Sequence, residues 1–593
     1  MQDSYRVIRK HLVASLQVLA WLAAPGAVCG WAQSPNLQPR PGLDDGQATA
    51  QPGQWVLVTA PAFAGELAPL VEQRRADGFK VTVIETTNAL TREQIRAGDA
   101  EPLRDRLREL FGTGAEPKYL LLAGVGAGPG ASFPQDVVVP PLFGATARMK
   151  RKLTDYGYAL PDAAGRSTVA VGRFPARTSD ELRGMVAKTL RLERTRPPGQ
   201  WRSSMLLVQG NPGGGGMAEM FLDAITRPRL ERLHPAWRLS AICHYSSSLY
   251  YLPTAWLESR TLEWLARGQL FSIYLGHSDA SGWSTLNTNF MGAKDWARVN
   301  MGPGQGVLFS CGCFGCQWDR GQEQAYGLAA MRNPTGPTAV IGAYGESYSA
   351  PGLLAVDGLL RCCAEAPFPT RLADYWLAVQ NGLAEGEIDP TTFGLLDMAD
   401  GTGGKTPLPV QRREHLEMWT LLGDPALRLP ILPLTISMKV ASPAASARRI
   451  NIEGTLPAKL ARATVRVDLE RPIGARSEDL QKLPPPQSAD AAERDRVAVE
   501  NHRKVSNRPI SSTRATADGT RFTCSLAVPA NFTLPTVIVR AYAEAGDEAA
   551  QGVLKLATTS AGGSWTVPPA ASRPNPNSEG RNPKEGRMPK AEY

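Results

Sequence analysis

The stretch LFSIYLGHSD, residues 270–279, is an apolar run that ends on glycine, histidine and two polar residues. A second run, GVLFSCGCFGC at residues 306–316, ends on three cysteines separated by glycine and phenylalanine. Short apolar runs rich in branched and aromatic residues are typical of central strands in a parallel sheet. The segment between them includes residues 292–299, which are long enough for a crossover helix. The pattern therefore predicts two neighbouring parallel strands.

Each predicted strand ends on a residue that can carry chemistry. In an open parallel sheet, reactive side chains collect at the carboxyl ends of the strands. His277 and Cys313 at such ends would form a base and a nucleophile, because the thiolate rather than the thiol attacks a carbonyl carbon. An inert buried cysteine and an ordinary core histidine are the alternatives that the pattern leaves open.

Five blocks, in order along the chain, resemble the gingipain-type cysteine peptidases, which are caspase-like enzymes. The resemblance covers roughly residues 55–430, and each block alone is weak. The blocks are KYLLLAG at 118–124, DYGY at 155–158 with VGRFPAR at 171–177 and Glu181-Leu182, YLGH at 274–277, LFSCGC at 308–313, and WTLLGDPAL at 419–427.

The resemblance implies a cysteine endopeptidase that acts through an acyl-enzyme intermediate. Matching the blocks residue by residue makes Cys313 the nucleophile, His277 its base, and Asp155 the carboxylate that orients the histidine. An N-cap or turn aspartate is the alternative for Asp155. The oxyanion hole would use the backbone N–H groups of Cys313 and Ser278. The family usually has glycine at the position of Ser278, where a Cβ restricts φ.

The resemblance also suggests where the substrate side chain binds. Asp162 lies near the acidic residue that arginine-specific members keep at the base of their specificity pocket, and Glu346 is a more distant candidate. Tyr348 lies near an aromatic residue that covers the pocket in the family. A solvated loop charge and ordinary core packing are the alternatives. If Asp162 lines the pocket, substrates with arginine or lysine before the scissile bond would be preferred, and the primary specificity otherwise stays open.

The alternation of strands and helices up to residue 430 predicts an α/β fold, and the resemblance implies that it is of the caspase and gingipain kind. We expect a parallel or mixed sheet with flanking helices in two subdomains, 55–195 and 200–430, the second carrying the active site. After residue 430, short alternating strands indicate a small all-β domain at 432–560. In relatives this place is taken by an immunoglobulin-like domain. Residues 471–517, rich in proline and charge, are expected to be a disordered loop.

The ends of the chain indicate export. Residues 1–33 combine basic residues, an apolar run and small residues, which predicts a signal peptide. A membrane anchor, or lipidation at Cys29, is the less favoured alternative, and no membrane span is expected after signal removal. Residues 34–53 would form a flexible leader and 561–593 a disordered tail. We expect the mature protein to be secreted, periplasmic or on the cell surface.

The charge distribution bears on the binding partners of the protein, and the cysteine count bears on its free thiols. The 593-residue chain carries a formal charge of +9, but the basic residues are scattered, so we expect no nucleic-acid partner. The resemblance implies polypeptide substrates. Of eight cysteines, seven remain without the signal peptide, and an odd number implies at least one free thiol.

No cofactor or metal is expected for catalysis, although the resemblance allows calcium. Cys311, Cys313 and Cys316 with His277 could instead form a zinc site. A disulfide between Cys311 and Cys316 would leave Cys313 free. Two other functions stay open: a catalytically silent extracellular binding or assembly module, and a peptidase dedicated to processing or attaching exported proteins.

Overall fold

The computed structural model describes residues 53–558 and 565–568, apart from gaps at 129–131, 196, 214, 286, 320–324, 442–447, 477–478 and 486–489. The predicted signal peptide lies outside the described residues, as do nearly all of the predicted leader and tail. Within the described part, no helix is long and apolar enough to cross a bilayer.

Strands and helices alternate along the first 430 residues, and strands dominate afterwards. The strands are β1 (Gln54–Thr59), β2 (Lys80–Glu85), β3 (Lys118–Ala123), β4 (Leu142–Gly144), β5 (Lys152–Thr154), β6 (Ala170–Phe174), β7 (Ser204–Gln209), β8 (Arg238–Cys243), β9 (Gln269–Leu275), β10 (Ser278–Asp279), β11 (Gly282–Ser284), β12 (Asn289–Gly292), β13 (Gln305–Cys311), β14 (Ala339–Ala343), β15 (Trp419–Leu422), β16 (Ser437–Val440), β17 (Arg449–Thr455), β18 (Thr464–Glu470), β19 (Pro509–Thr516), β20 (Arg521–Ala527), β21 (Thr536–Ala545) and β22 (Glu548–Ala557). The α-helices of the described part are α1 (Ala68–Ala76), α2 (Arg92–Ala97), α3 (Glu101–Phe111), α4 (Ser179–Thr195), α5 (Gly216–Glu231), α6 (Thr254–Ala266), α7 (Ala293–Trp296), α8 (Tyr326–Arg332), α9 (Ser349–Arg361), α10 (Leu372–Glu385), α11 (Pro390–Ala399), α12 (Leu408–Met418) and α13 (Ala491–Ser506).

Ten strands form one mixed sheet in the spatial order β2-β1-β3-β6-β15-β14-β13-β9-β7-β8. On one side β2, β1, β3 and β6 pair in parallel, and on the other side β14, β13, β9, β7 and β8 do so. Both β3 and β6 are buried along their whole length, as expected for strands that helices cover on both faces. The predicted α/β fold with a parallel or mixed sheet is confirmed.

The flanking helices turn one apolar face toward this sheet. α3 shows the pattern, since it buries Leu103, Leu107 and Phe111, which are four residues apart. Asp105 and Arg108 lie between them, remain exposed and pair with each other. Apolar spacing alone therefore decides which face of α3 is buried.

The strand β15 joins the two halves of the sheet. It is antiparallel to β14 and also pairs with β6, at Leu422 and Arg173. The halves 55–195 and 200–430, expected as two subdomains, therefore share one continuous sheet. All four residues of β15 are buried, and the strand covers an edge of each half that would otherwise be open.

The block GDP at residues 423–425 follows β15 and contains a buried carboxylate. Asp424 accepts hydrogen bonds from Trp55 Nε1 at 3.1 Å and from the Arg74 guanidinium at 2.7 and 2.9 Å. Arg74 is fully buried and also donates to both oxygens of Glu193 at 3.0 Å. This ion-pair network ties the end of the sheet to β1, α1 and α4.

After residue 430 the chain forms two small antiparallel sheets. One has the order β16-β17-β20 and the other β19-β18-β21-β22. Alternate residues of β18 point inward, so that one face of each sheet contributes to a shared apolar cluster. That cluster includes Ile450, Ile452, Val465, Val467, Leu469, Phe522, Val537 and Leu556.

The structure differs from the sequence-based expectation at residues 471–517. Most of the described part of this segment is a helix, α13, and a strand, β19, instead of a disordered loop. The helix α13 begins after Asp490, whose side chain accepts a hydrogen bond from the N–H of Glu493 at 2.9 Å. The Nε2 atom of His502 lies 3.1 Å from the Ala241 carbonyl oxygen in the large sheet. High charge content was misleading because the charges occupy the exposed face of an amphipathic helix. Its buried residues are Val497, Ala498, His502 and Val505.

Candidate active site

The ends of β9 and β13 bring His277 and Cys313 to the same edge of the sheet. The two strands are parallel neighbours, and their register ends with Leu275 opposite Cys311. His277 and Cys313 each lie two residues beyond that last pair. Since neighbouring strands are about 4.8 Å apart, the two residues follow strand ends that lie side by side.

Backbone hydrogen bonds fix the turn that carries Cys313. Phe314 has φ 60°, in the left-handed region that residues other than glycine rarely adopt. Its N–H donates to the Gly345 carbonyl at 3.0 Å, and the Cys316 N–H donates to the Ala343 carbonyl at 2.9 Å. A strained residue persists only where its surroundings hold it. The end of β14 therefore holds this turn in place.

The hydroxyl of Ser278 connects the two strand ends. It donates to the Cys313 carbonyl at 2.8 Å and lies 3.3 Å from Tyr326 Oη, which is 2.8 Å from Ser310 Oγ. A Cβ at Gly312 would lie 2.0 Å from Ser278 Oγ, so only glycine fits there. Ser278 replaces the glycine of related sequences and acts here as a structural link. The sequence alone gave no sign of this link.

The Cys313 thiol is partly buried and contacts Ser347, a residue to which the sequence assigned no role. Its Sγ lies 3.5 Å from Ser347 Oγ and accepts a hydrogen bond from the Ser347 N–H at 3.4 Å. Burial raises the pKa of the Cys313 thiol, and the hydrogen bonds from Ser347 and the charge of Arg148 partly offset this rise. Deprotonation of Cys313 therefore needs a base.

His277 is exposed at the sheet edge, and its backbone is held in place. Its carbonyl accepts hydrogen bonds from Tyr274 Oη at 2.5 Å and from the Ser284 N–H at 2.8 Å. Tyr274 in turn stacks on Trp283 with ring centroids 4.2 Å apart. Among the described residues, none hydrogen-bonds to the imidazole ring of His277.

Asp155 lies against Arg173 instead of His277. Its two carboxylate oxygens accept hydrogen bonds from Arg173 at 2.7 and 2.8 Å, and both side chains are buried. Arg173 belongs to β6, four strand positions from β9, which corresponds to about 19 Å. No bond between Asp155 and His277 appears in the described part of the chain. The aspartate of the DYGY block and the arginine of the VGRF block thus form a buried ion pair.

Asp162 lies in a turn and is neutralised by a neighbour. Its carboxylate accepts hydrogen bonds from the Arg166 guanidinium at 2.7 Å and from the Ala164 N–H at 2.9 Å. Desolvation raises the pKa of Asp162, but these hydrogen bonds outweigh it and lower the pKa overall. The charged groups that act on the Cys313 thiol are Glu346 and Arg148.

Tyr348 is buried in the wall of the site. It is 2% exposed, and the Arg148 guanidinium covers its ring at 4.1 Å. Arg148 also pairs with Glu346 at 3.0 Å, and the Glu346 carboxylate remains partly exposed. Of the two acidic candidates, Glu346 is thus the one beside the nucleophile.

The other two cysteines of the CGCFGC block face different surroundings. Cys311 Sγ lies 3.9 Å from the Gly352 carbonyl of α9, and Cys316 is fully buried. Burial raises the pKa of both thiols. The seven cysteines of the described part are all free thiols. No group of three or more His, Cys, Asp or Glu in that part is placed to hold a metal ion.

Comparison with known proteins supports the resemblance of the five sequence blocks to the gingipain-type peptidases. A family model described as Peptidase family C25 matches residues 48–430. The comparison with curated proteins gives no match.

Several solved structures are similar to the chain at low sequence identity. The Arg specific cysteine proteinase gingipain R (RGPB) is 13% identical, with a TM-score of 0.49, covering 85% of this chain and 98% of that chain. The complex of Porphyromonas gingivalis RgpB pro- and mature domains is 12% identical, with a TM-score of 0.48, covering 85% and 99%. Dimeric latent PorU from Porphyromonas gingivalis is 14% identical, with a TM-score of 0.33, covering 89% and 44%.

At TM-scores below 0.5 these likenesses assign no activity by themselves. The family model, however, spans more than half of the chain. It includes the ends of β9 and β13 as well as the block GDP that closes the large sheet. The chain therefore belongs to peptidase family C25 and is a gingipain-type cysteine peptidase.

Proposed function

We propose that the protein is an exported endopeptidase that hydrolyses peptide bonds through a Cys313–His277 dyad. The observation that carries this proposal is the parallel register of β9 and β13, which brings a thiol and an imidazole to one edge of the sheet. The link between Ser278 and the Cys313 carbonyl supports it, because that link fixes the two strand ends against each other.

The reaction follows from these two groups. His277 accepts the proton of Cys313, and the thiolate attacks the carbonyl carbon, forming a C–S bond while an electron pair moves to the oxygen. As the tetrahedral intermediate collapses, the C–N bond breaks and His277 gives its proton to the leaving amine. Water, deprotonated by His277, then attacks the acyl-enzyme and releases the acid and the free thiol.

The backbone N–H groups of Cys313 and Ser278 are proposed to stabilise the negative oxygen. The Ser284 N–H donates to the His277 carbonyl, so these two residues form a hydrogen-bonded antiparallel pair. The next pair, Ser278 opposite Trp283, is then a non-bonded one. The N–H of Ser278 accordingly points away from β11 and is available as a donor.

The rival function is a silent binding module, and Ser278 was the feature that favoured it. The hydroxyl of Ser278 lies within a chain of hydrogen bonds to Cys313 and Tyr326, and Gly312 leaves room for it. Because the structure accommodates this serine, Ser278 is compatible with a catalytically active site and does not favour the silent module.

The proposal extends to location, domains and partners. Residues 1–33 would direct the chain to the periplasm, the cell surface or the medium, and the two sheets after residue 432 would form an immunoglobulin-like domain. Polypeptides are the substrates of a peptidase of this family. Catalysis by thiol and imidazole requires no cofactor, and calcium stays allowed only by the resemblance.

Labelling of the thiol tests the proposal. An acyloxymethyl-ketone peptide probe or iodoacetamide should label Cys313 first in the full chain, as read by mass spectrometry of its peptides. Because His277 activates the thiol, His277→Ala should slow labelling by the peptide probe about 100-fold. Labelling of Cys311 or Cys316 with Cys313 unmodified would exclude the dyad. A Cys313 that reacts with iodoacetamide but ignores the peptide probe would favour the silent module.

A second prediction concerns specificity for basic residues. If Asp162 lines the pocket, Asp162→Asn should lower cleavage after arginine and lysine about fivefold, the effect of a half-exposed ion pair worth about 1 kcal/mol. Labelling of Cys313 should stay unchanged. Glu346→Gln is the matched variant, since this carboxylate lies beside the nucleophile. A loss of basic cleavage only in Glu346→Gln would transfer the role to Glu346, and a profile without basic preference refutes both.

A further inference from the structure

The loop after β14 presents two hydrogen-bond donors to the nucleophile. The N–H and the hydroxyl of Ser347 lie 3.4 and 3.5 Å from Cys313 Sγ. Ser347 comes two residues before the first residue of α9, a helix of 13 residues. The amino-terminal end of a helix favours a negative charge nearby. Both the donors and the helix therefore favour a thiolate over a thiol at Cys313.

A buried histidine holds this loop from behind. His415 is fully buried in α12, and its Nε2 accepts a hydrogen bond from the Tyr348 N–H at 2.8 Å. Its Nδ1 lies 2.9 Å from the Gln411 carbonyl and must donate there, which fixes the tautomer. Burial lowers the pKa of His415 to about 3. The ring is thus neutral at physiological pH, and Nε2 stays an acceptor.

Two further contacts fix the same loop from the side. The Arg148 guanidinium donates to the Ser347 carbonyl at 3.3 Å and to the Asp400 carbonyl at 2.7 Å. The carboxylate of Asp400 accepts hydrogen bonds from the N–H and the hydroxyl of Ser349, both at 2.7 Å. The hydroxyl of Ser349 is therefore occupied by Asp400, whereas that of Ser347 lies at the nucleophile.

We propose that Ser347 stabilises the Cys313 thiolate directly and that His415 is a positioning residue that holds Ser347 against the sulfur. This inference rests on the proposed role of Cys313 as nucleophile. It adds to the dyad a group that stabilises the thiolate and so favours transfer of the proton from Cys313 to His277. The titratable and charged groups that act on the thiol are Tyr274 from β9, Tyr326 from α8, Glu346 from the loop after β14 and Arg148 from the loop between β4 and β5. His277 follows β9, the strand beside β13.

The pH dependence of alkylation tests the role of Ser347. Iodoacetamide is reacted with the full chain between pH 5 and pH 11, on the order of the range in which thiols titrate, and modification of the Cys313 peptide is followed by mass spectrometry. A hydrogen bond to the thiolate lowers its pKa, so Ser347→Ala should move the midpoint of alkylation up by about one unit. Ser347→Thr should restore it. Ser259→Ala is the matched control, since this serine is exposed on α6 and its hydroxyl donates to the Trp256 carbonyl, and it should leave the midpoint unchanged.

The role of His415 is tested in the same assay with two replacements. His415→Gln keeps an acceptor for the Tyr348 N–H, whereas His415→Leu fills similar space without one. The midpoint should rise in His415→Leu and rise less in His415→Gln, with both proteins folded by circular dichroism. If His415→Leu does not fold, the Ser347 variants decide alone.

Failure of this inference differs from failure of the proposed function. Equal midpoints in the parent protein and Ser347→Ala would overturn the inference even if the protein cleaves peptides. A shifted midpoint without peptide cleavage would support the inference and leave the endopeptidase proposal refuted.

Discussion

Replacing Cys313 by alanine should abolish peptide hydrolysis, and replacing His277 by alanine should lower kcat/KM about 1,000-fold, within the usual range for loss of a general base. The physical reason is the environment of the sulfur. Burial raises the pKa of the Cys313 thiol, so without His277 little thiolate forms at neutral pH. Cleavage of a fluorogenic peptide library by the purified full chain measures both effects.

Residues of the same type outside the site serve as controls. Cys524 lies in β20 of the C-terminal sheets, and Cys524→Ala should cleave like the parent protein. The Nε2 atom of His244 lies 3.1 Å from the Thr254 hydroxyl, away from the nucleophile, and His244→Ala should do the same. An unchanged kcat/KM in His277→Ala would contradict the dyad.

Replacing Asp424 by alanine should strongly destabilise the catalytic region. Arg74 is fully buried and loses one of its carboxylate partners, while Trp55 Nε1 loses its acceptor. Breaking a buried ion pair costs about 3–5 kcal/mol, against a total of about 5–15 kcal/mol for a typical domain. Urea unfolding followed by circular dichroism should show a transition at clearly lower denaturant concentration.

A second, exposed aspartate tests whether burial of Asp424 is the reason for the expected loss of stability. Asp105 pairs with Arg108 on the exposed face of α3, where ion pairs contribute little. Asp105→Ala should therefore leave the urea transition in place. Asp424→Asn keeps the shape but removes the charge, and it should destabilise less than alanine. A transition in Asp424→Ala at the same urea concentration as in the parent protein would mean that the ion-pair network does not support the fold.

The parts of this architecture that local sequence determines were predictable. The strands that precede His277 and Cys313 are short apolar runs, and both strands are present in the structure, whereas the chemistry of the two residues stays a prediction. The change to alternating strands after residue 430 is also local. These features depend on neighbouring residues, so a single sequence reveals them.

The features that escaped prediction depend on residues far apart in the chain. The resemblance implies an orienting role for Asp155, whereas its ion pair with Arg173 joins two separate blocks and cannot be read from local sequence. Ser347 reaches Cys313 only through the pairing of β13 with β14. The sequence of the helix α13 predicts disorder because its charged residues outnumber the few apolar residues that it buries.

The place of β15 in the sheet has a consequence for biosynthesis. This strand is the last part of the sheet to leave the ribosome, yet it lies between β6 and β14 in the middle. The contact of Trp55 with Asp424 joins residues 369 positions apart, and long-range pairing of this kind is slow to form. Until β15 is added, the two half-sheets have open edges. Such a folding intermediate is prone to aggregation. We therefore expect the catalytic region to complete its sheet only after β15 has been synthesised.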